Sequence, residues 1–216
     1  MNFDAARLQM VEQQVRAWDV LDPETLEVMA SVPREQFMPA GYETLAFADT
    51  EIPIGHGEIM MTPTVEGRVL QALDLDGADS VLEIGTGTGF LTACLARLAG
   101  SVVSIDIHAD FIERAGQNLA DTGLGDVELQ CMDAMESLPD GRFDAIAVTG
   151  SIAELDQRFL DALNVGGRLF VIVGTSPVMD ARLISRVSDD EWSEESLFET
   201  ELPALVNGGP EPQFLF

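Results

Sequence analysis

The chain has 216 residues, 46% of them apolar, and sets 38 acidic against 11 basic side chains for a formal net charge of -27. That is enough chain for one sizeable core, and its regularly spaced apolar runs exclude a disordered protein. The acidic field argues against a nucleic-acid partner, since no basic patch exists to displace counterions from phosphates, and no apolar run of about 18 residues is present to cross a bilayer.

Every basic residue is an arginine, and the acids are spread through all segments. A surface of this kind is expected of a protein solvated in concentrated salt. Without a signal pattern at the N-terminus, the expected location is the cytoplasm. Cys94 and Cys131 have no metal-ligand spacing, so they predict two buried free thiols in a reducing compartment and no metal site.

In chain order, residues 3–15 carry apolar side chains at helical spacing. Asp22-Pro23-Glu24 is an N-cap with proline at the first helical position, predicting a second helix to about Ala30. Residues 31–63 break into proline and glycine punctuation and read as an apolar lid or binding loop with little regular structure. Thr62-Pro63 then opens a helix with Val65, Val69, Leu70 and Leu73 on one face.

From Ser80 strands and helices alternate. Strands are predicted at 80–84, 102–106, 127–131, 143–148 and 168–173, helices at 91–98, 109–119 and 152–163, with Gly166-Gly167 as the turn before the last strand. This alternation implies an α/β fold, a doubly wound and mostly parallel sheet with helices on both faces and its ligand at the carboxyl ends of the strands. Segments 182–187 and 196–202 predict an antiparallel edge, joined through Asp189-Asp190-Glu191 as a solvated turn. Pro210 and Pro212 exclude a central strand beyond it. The expected organisation is a helical and loop cap over residues 1–79 and a core over 80–216, forming one compact unit.

Val81-Leu82-Glu83-Ile84-Gly85-Thr86-Gly87-Thr88-Gly89-Phe90 runs from a strand through three alternate glycines into a helix. The spacing is neither that of a pyrophosphate-binding loop nor that of a phosphate loop, which would also need a lysine. Glu83 lies near enough to the loop to meet a cationic group, and Asp106 ends the next strand, where an acid accepts hydrogen bonds from ribose hydroxyls. A cofactor with a ribose, a cation and no phosphate satisfies all three features, and S-adenosylmethionine is such a molecule. The loop resembles that of the Rossmann-like methyltransferases. The resemblance implies that Glu83, Gly85, Thr86, Gly87, Gly89, Asp106, Ile107, Asp133, Ala134 and Thr149 hold the cofactor, with S-adenosylhomocysteine as product.

Taken with Val32-Pro33-Arg34-Glu35-Gln36-Phe37-Met38-Pro39, Ala46-Phe47-Ala48-Asp49, Ile52-Pro53-Ile54-Gly55-His56-Gly57 and Phe143-Asp144-Ala145-Ile146-Ala147-Val148-Thr149, the chain is similar to the protein-L-isoaspartate O-methyltransferase family. That family methylates the free α-carboxylate of isoaspartyl residues in damaged proteins, and a Ser-Gln-Pro segment supplies the hydroxyl that engages the carboxylate. Here the segment is Met61-Thr62-Pro63, and methionine offers no donor. Thr62 or His56 is the candidate replacement. Each also has a plainer role, Thr62 as the cap of the following helix and His56 as a loop hydrogen-bonder. A small molecule, another protein group, or cofactor binding without turnover remain as alternatives. The oligomeric state is not readable from the sequence.

Overall fold

A computed structural model describes residues 2–124 and 127–210. Helix α1 (Phe3–Met10) runs on into a π turn, Val11–Val15. Helix α2 (Pro23–Ser31) starts where Asp22 Oδ2 accepts the Thr25 amide at 2.7 Å. Strands β1 (Ile52–Gly55) and β2 (Glu58–Met60) form an antiparallel hairpin inside the stretch expected to be irregular. One proline and two glycines hide so short a ladder from any period-2 signal. Helix α3 (Pro63–Leu73) follows, burying Val65, Val69, Leu70 and Leu73 as the periodicity requires.

The core then alternates β3 (Ser80–Ile84), α4 (Phe90–Leu98), β4 (Ser101–Asp106), α5 (Ala109–Asp121), β5 (Glu128–Cys131), β6 (Phe143–Ile152), α6 (Gln157–Asp161), β7 (Leu163–Thr175), β8 (Val178–Arg186) and β9 (Trp192–Thr200). The sheet order is β5-β4-β3-β6-β7-β8-β9. The five strands from β5 to β7 are parallel, and β8 and β9 close the edge antiparallel. The result is an α/β architecture, a mostly parallel sheet with an antiparallel edge, as the alternation implies.

Period-2 alternation splits the buried strands between two faces. Val81, Ala145, Ala147, Phe170 and Ile172 join the cluster formed by helices α1 to α5. Leu82, Ile84, Ile146, Val148 and Val171 join a smaller one covered by α6 and the segment after β5. The core under the sheet is thus continuous with that of the N-terminal residues.

Three expectations change. The helix expected over 152–163 is only α6, because β6 runs on to Ile152 and Asp156 caps a late start with an oxygen accepting the Arg158 amide. Gly166 and Gly167 lie within β7, where the register against β6 shifts, not in a turn before it. Cys94 is buried as expected, but Cys131 is exposed near the β5 edge. Pro212 lies outside the described residues.

Candidate active site

The carboxyl ends of β3, β4, β5 and β6 open on a cleft lined by Gly85, Asp106, Asp133 and Thr149. Gly85 makes the first turn at φ +101°, and a Cβ there would lie 2.2 Å from Thr149 Oγ1, so no other residue fits. Thr149 sits in an irregularity of β6, between Ala147 and Ser151, that turns its side chain to the cleft. Its hydroxyl donates to the carbonyls of Ile84 and Gly85 at 3.0 and 2.9 Å.

Asp106 is fixed by two backbone amides. Gly87 N–H donates to Oδ2 and His108 N–H to Oδ1, both at 2.9 Å. An ionised carboxylate has about four acceptor positions, so two remain for hydroxyls entering the cleft. Asp133 Oδ1 accepts the Met135 amide at 2.8 Å and Oδ2 accepts Asn207 Nδ2 at 2.7 Å. Ile107 and Ala134 line the same cleft.

A second cavity of about 330 Å³ shares Ile54, Ile59, Gly85, Gly87 and Thr149 with the first and extends to Met60, Met61, Thr86 and Phe90. Glu83 and Glu66 border it. Glu83 is fully buried, its Oε2 accepting from Thr92 and from Ser104 (2.5 Å), while Oε1 has no partner. Burial pushes its pKa up to about 8, although the Ser104 and Thr92 hydroxyls favour the ionised form. Burial likewise raises Glu66 to about 8 against the pull of Arg34.

The remaining candidates are placed as follows. Thr86 borders the second cavity, its hydroxyl 2.6 Å from Ser104 Oγ. Gly89 lines neither cavity; a Cβ there would come 3.1 Å from Ala115 Cβ, so it serves the packing of α4 on α5. His56 is at the tip of the β1–β2 turn, 2.9 to 3.1 Å being the ordinary hydrogen-bond range and its Nε2 lying 3.0 Å from both oxygens of Asp110. It lines neither cavity. Thr62 caps α3, accepting the Val65 amide at 3.4 Å. Thr64 gives its one hydroxyl proton to Asp49 Oδ1 at 2.7 Å, so the 2.9 Å contact between Thr62 Oγ1 and Thr64 Oγ1 uses the proton of Thr62. In this arrangement Thr62 has no donor left for an acceptor.

Several residues that shape the site escaped the sequence reading. Arg34 is buried, donating to Ala46 O (2.9 Å), Glu66 Oε2 (2.8 Å) and Met61 O (2.8 Å), and stacking 4.8 Å from the Phe90 ring centroid. Burial lowers its pKa while Glu66 opposes the change. Leu205, Val206 and Asn207 bring the C-terminal segment to the cleft, with Asn207 at φ +65°. Asn207-Gly208-Gly209 was the signal for a turn there.

The lining fits S-adenosylmethionine. Glu58, Asp106 and Asp133 border the main cleft, which has no arginine in its wall, and Glu83 lies behind the glycine loop. Such a donor set suits hydroxyls, an amine and a cation, and offers phosphates nothing.

A sequence model of the family described as Protein-L-isoaspartate(D-aspartate) O-methyltransferase (PCMT) matches residues 6–208. The chain is 35% identical to protein-L-isoaspartate O-methyltransferase 1 of Rhodopseudomonas palustris strain HaA2, over 98% of this chain and 90% of that one. It is 37% identical to protein-L-isoaspartate O-methyltransferase of Methanoculleus marisnigri, over 83% of each. A Plasmodium falciparum protein assigned as a protein-L-isoaspartate O-methyltransferase, crystallised in complex with S-adenosyl-L-homocysteine, superposes with a TM-score of 0.81 at 19% identity, over 92% of this chain and 97% of that one.

Proposed function

The chain belongs to the protein-L-isoaspartate O-methyltransferase family and is an S-adenosylmethionine-dependent methyltransferase, and on that premise we propose that it methylates the α-carboxylate of isoaspartyl residues in proteins. The observation that carries the proposal is a carboxylate-lined, arginine-free cleft sharing a wall with a second cavity at the strand ends. One holds the cofactor; the other receives the acceptor. We assign cofactor contacts to Gly85, Gly87, Asp106, Ile107, Asp133, Ala134 and Thr149, with Glu83, Thr86 and Gly89 supporting the loop. Residues 1–79 act as the cap. The unpaired cysteines support a reducing compartment, and we place the enzyme in the cytoplasm.

When bound, the cofactor would supply a methyl group on a sulfonium, whose carbon an ionised carboxylate oxygen can attack in line, the C–S bond breaking to release the neutral thioether, with no general base needed. The protein's work is therefore positioning and exclusion of water. Asp106, held by two amides, would hold the ribose end. Asp133, held by Met135 N–H and Asn207, would meet the adenine end. Ile54 and Ile59 of the hairpin wall both cavities and shield the meeting point. Arg34 holds the Met61 carbonyl and thereby the strand that borders the acceptor cavity. With Thr62 and His56 both engaged elsewhere, we assign them positioning roles, in the α3 cap and the hairpin tip.

One observation favours a second reading. The acceptor cavity presents Met60, Met61 and two carboxyls, and among the described residues lining it there is no cation to pair with an incoming carboxylate. This suits a less acidic acceptor. The two readings separate on methyl transfer from labelled cofactor to an isoaspartyl peptide and its aspartyl twin. Isoaspartyl-dependent incorporation, raised about tenfold or more by Met61→Ser, is expected, a hydroxyl that orients the acceptor being worth up to about 10²-fold. Intact S-adenosylhomocysteine binding with no incorporation into either peptide would instead establish the second reading.

A further inference from the structure

We propose that His56, His108 and Asp110 form a binding site for a divalent transition-metal ion at the lip of the cofactor cleft. This goes beyond the methyl transfer and does not depend on which acceptor is used.

The chain contains two histidines in all, and the fold brings them together from different elements. His56 is the tip of the β1–β2 turn, and His108 is the residue before α5. Their rings stack with centroids 4.1 Å apart and planes 10° from parallel. His56 Nε2 lies 3.0 Å from each carboxylate oxygen of Asp110. One ligand atom from each of the three residues falls within 4.8 Å of the other two. His108 Nε2 is shielded from solvent and has no hydrogen-bond partner, an orphan that calls for an explanation. The ring of Phe111 stands edge-on to both imidazoles.

The backbone aims His56 at this spot at a cost. Gly55, His56 and Gly57 all have positive φ (+115°, +55° and +89°), and an imidazole in the left-handed region is an uncommon conformation. The same tip allows adjustment. Parallel rings point their in-plane lone pairs side by side, so a shared ion requires one ring to swing. His56, 44% exposed at its side chain and flanked by glycines, is the ring free to do so. Glu58, across the turn, lines the same cleft as His108.

Two imidazoles and a carboxylate select zinc, nickel, copper or cobalt over magnesium and calcium, which prefer all-oxygen sites. That selectivity matters on a chain whose 38 acids attract hard cations everywhere. An ion here would tie the hairpin, with Ile54 and Ile59, to the start of α5.

The test uses the full chain without a histidine tag, in molar NaCl with excess magnesium to occupy surface carboxylates. Zinc chloride is titrated by calorimetry and by long-range nitrogen-proton NMR of the imidazoles, of which there are only two. The expected result is one zinc per chain, with both ring systems shifting together and saturating at one equivalent. Asp110→Asn should weaken binding at least tenfold, and His56→Ala/His108→Ala should remove it. Zinc that leaves either ring unperturbed in the wild type, or that binds the folded double variant equally well, would overturn the proposal.

Discussion

Glu83 shows most clearly how the fold sets the state of a single side chain. Its position two residues before Gly85 suggests a partner for a cation, but nothing in the sequence reports that the side chain is fully buried or that Thr92 and Ser104 share one oxygen. With a folded-state pKa raised to about 8 from the ordinary glutamate value of 4.5, the folded state holds its proton more tightly than the unfolded chain. The resulting stability is fully present below about pH 4.5 and is lost as pH rises to about 8. Glu83→Gln keeps an acceptor for both hydroxyls and removes the titration. We expect its stability to fall less between pH 5 and pH 8, with an advantage over wild type at pH 8 of at least about 1 kcal/mol, less than one pKa unit's worth. Urea unfolding at the two pH values measures this; identical slopes would show that Glu83 is already ionised at pH 5.

At the scale of elements, strands and helices were legible wherever apolar periodicity runs unbroken and a cap marks the end, as at Asp22-Pro23, Thr62-Pro63 and the strand 80–84. The β1–β2 hairpin was not, because Pro53, Gly55 and Gly57 mask its alternation. The cleft proposed for the cofactor was foreshadowed in the sequence because glycine spacing and strand-end acids are local signals. The cavity proposed for the acceptor was not, since it depends on Arg34, whose burial among Glu66, Ala46 and Met61 no local pattern signals. Arg34→Met should cost about 3–5 kcal/mol by leaving Glu66 buried and unpaired. Adding Glu66→Leu should restore most of that stability, since an apolar pair of similar volume is often close to neutral there. It cannot restore the tie to the Met61 carbonyl. The double variant is therefore expected to unfold near wild-type denaturant concentrations while kcat/KM stays depressed; recovery of both would reduce Arg34 to a stability role.

At the scale of the whole molecule, the arginines are largely committed to holding elements together. Arg7 pairs with Glu35, Arg158 with Asp156, Arg168 with Asp79 and Arg182 with both Asp180 and Glu194. The net charge of -27 remains after all eleven arginines are counted, so the folded state compresses a large excess of like charge that the unfolded chain spreads out. The Debye length falls from about 10 Å at 0.1 M salt to about 3 Å at 1 M, so screening should stabilise the fold and ease the approach of an anionic acceptor together. We expect the thermal midpoint to climb between 0.1 and 1 M NaCl. Over the same range KM for an acidic isoaspartyl peptide should fall more than KM for a basic peptide with the same isoaspartyl site. Sucrose separates screening from surface exclusion, because it strengthens burial without ionic strength. A midpoint that rises equally in sucrose, with the two KM values moving in parallel, would mean that the acidic surface acts through hydration rather than through its field.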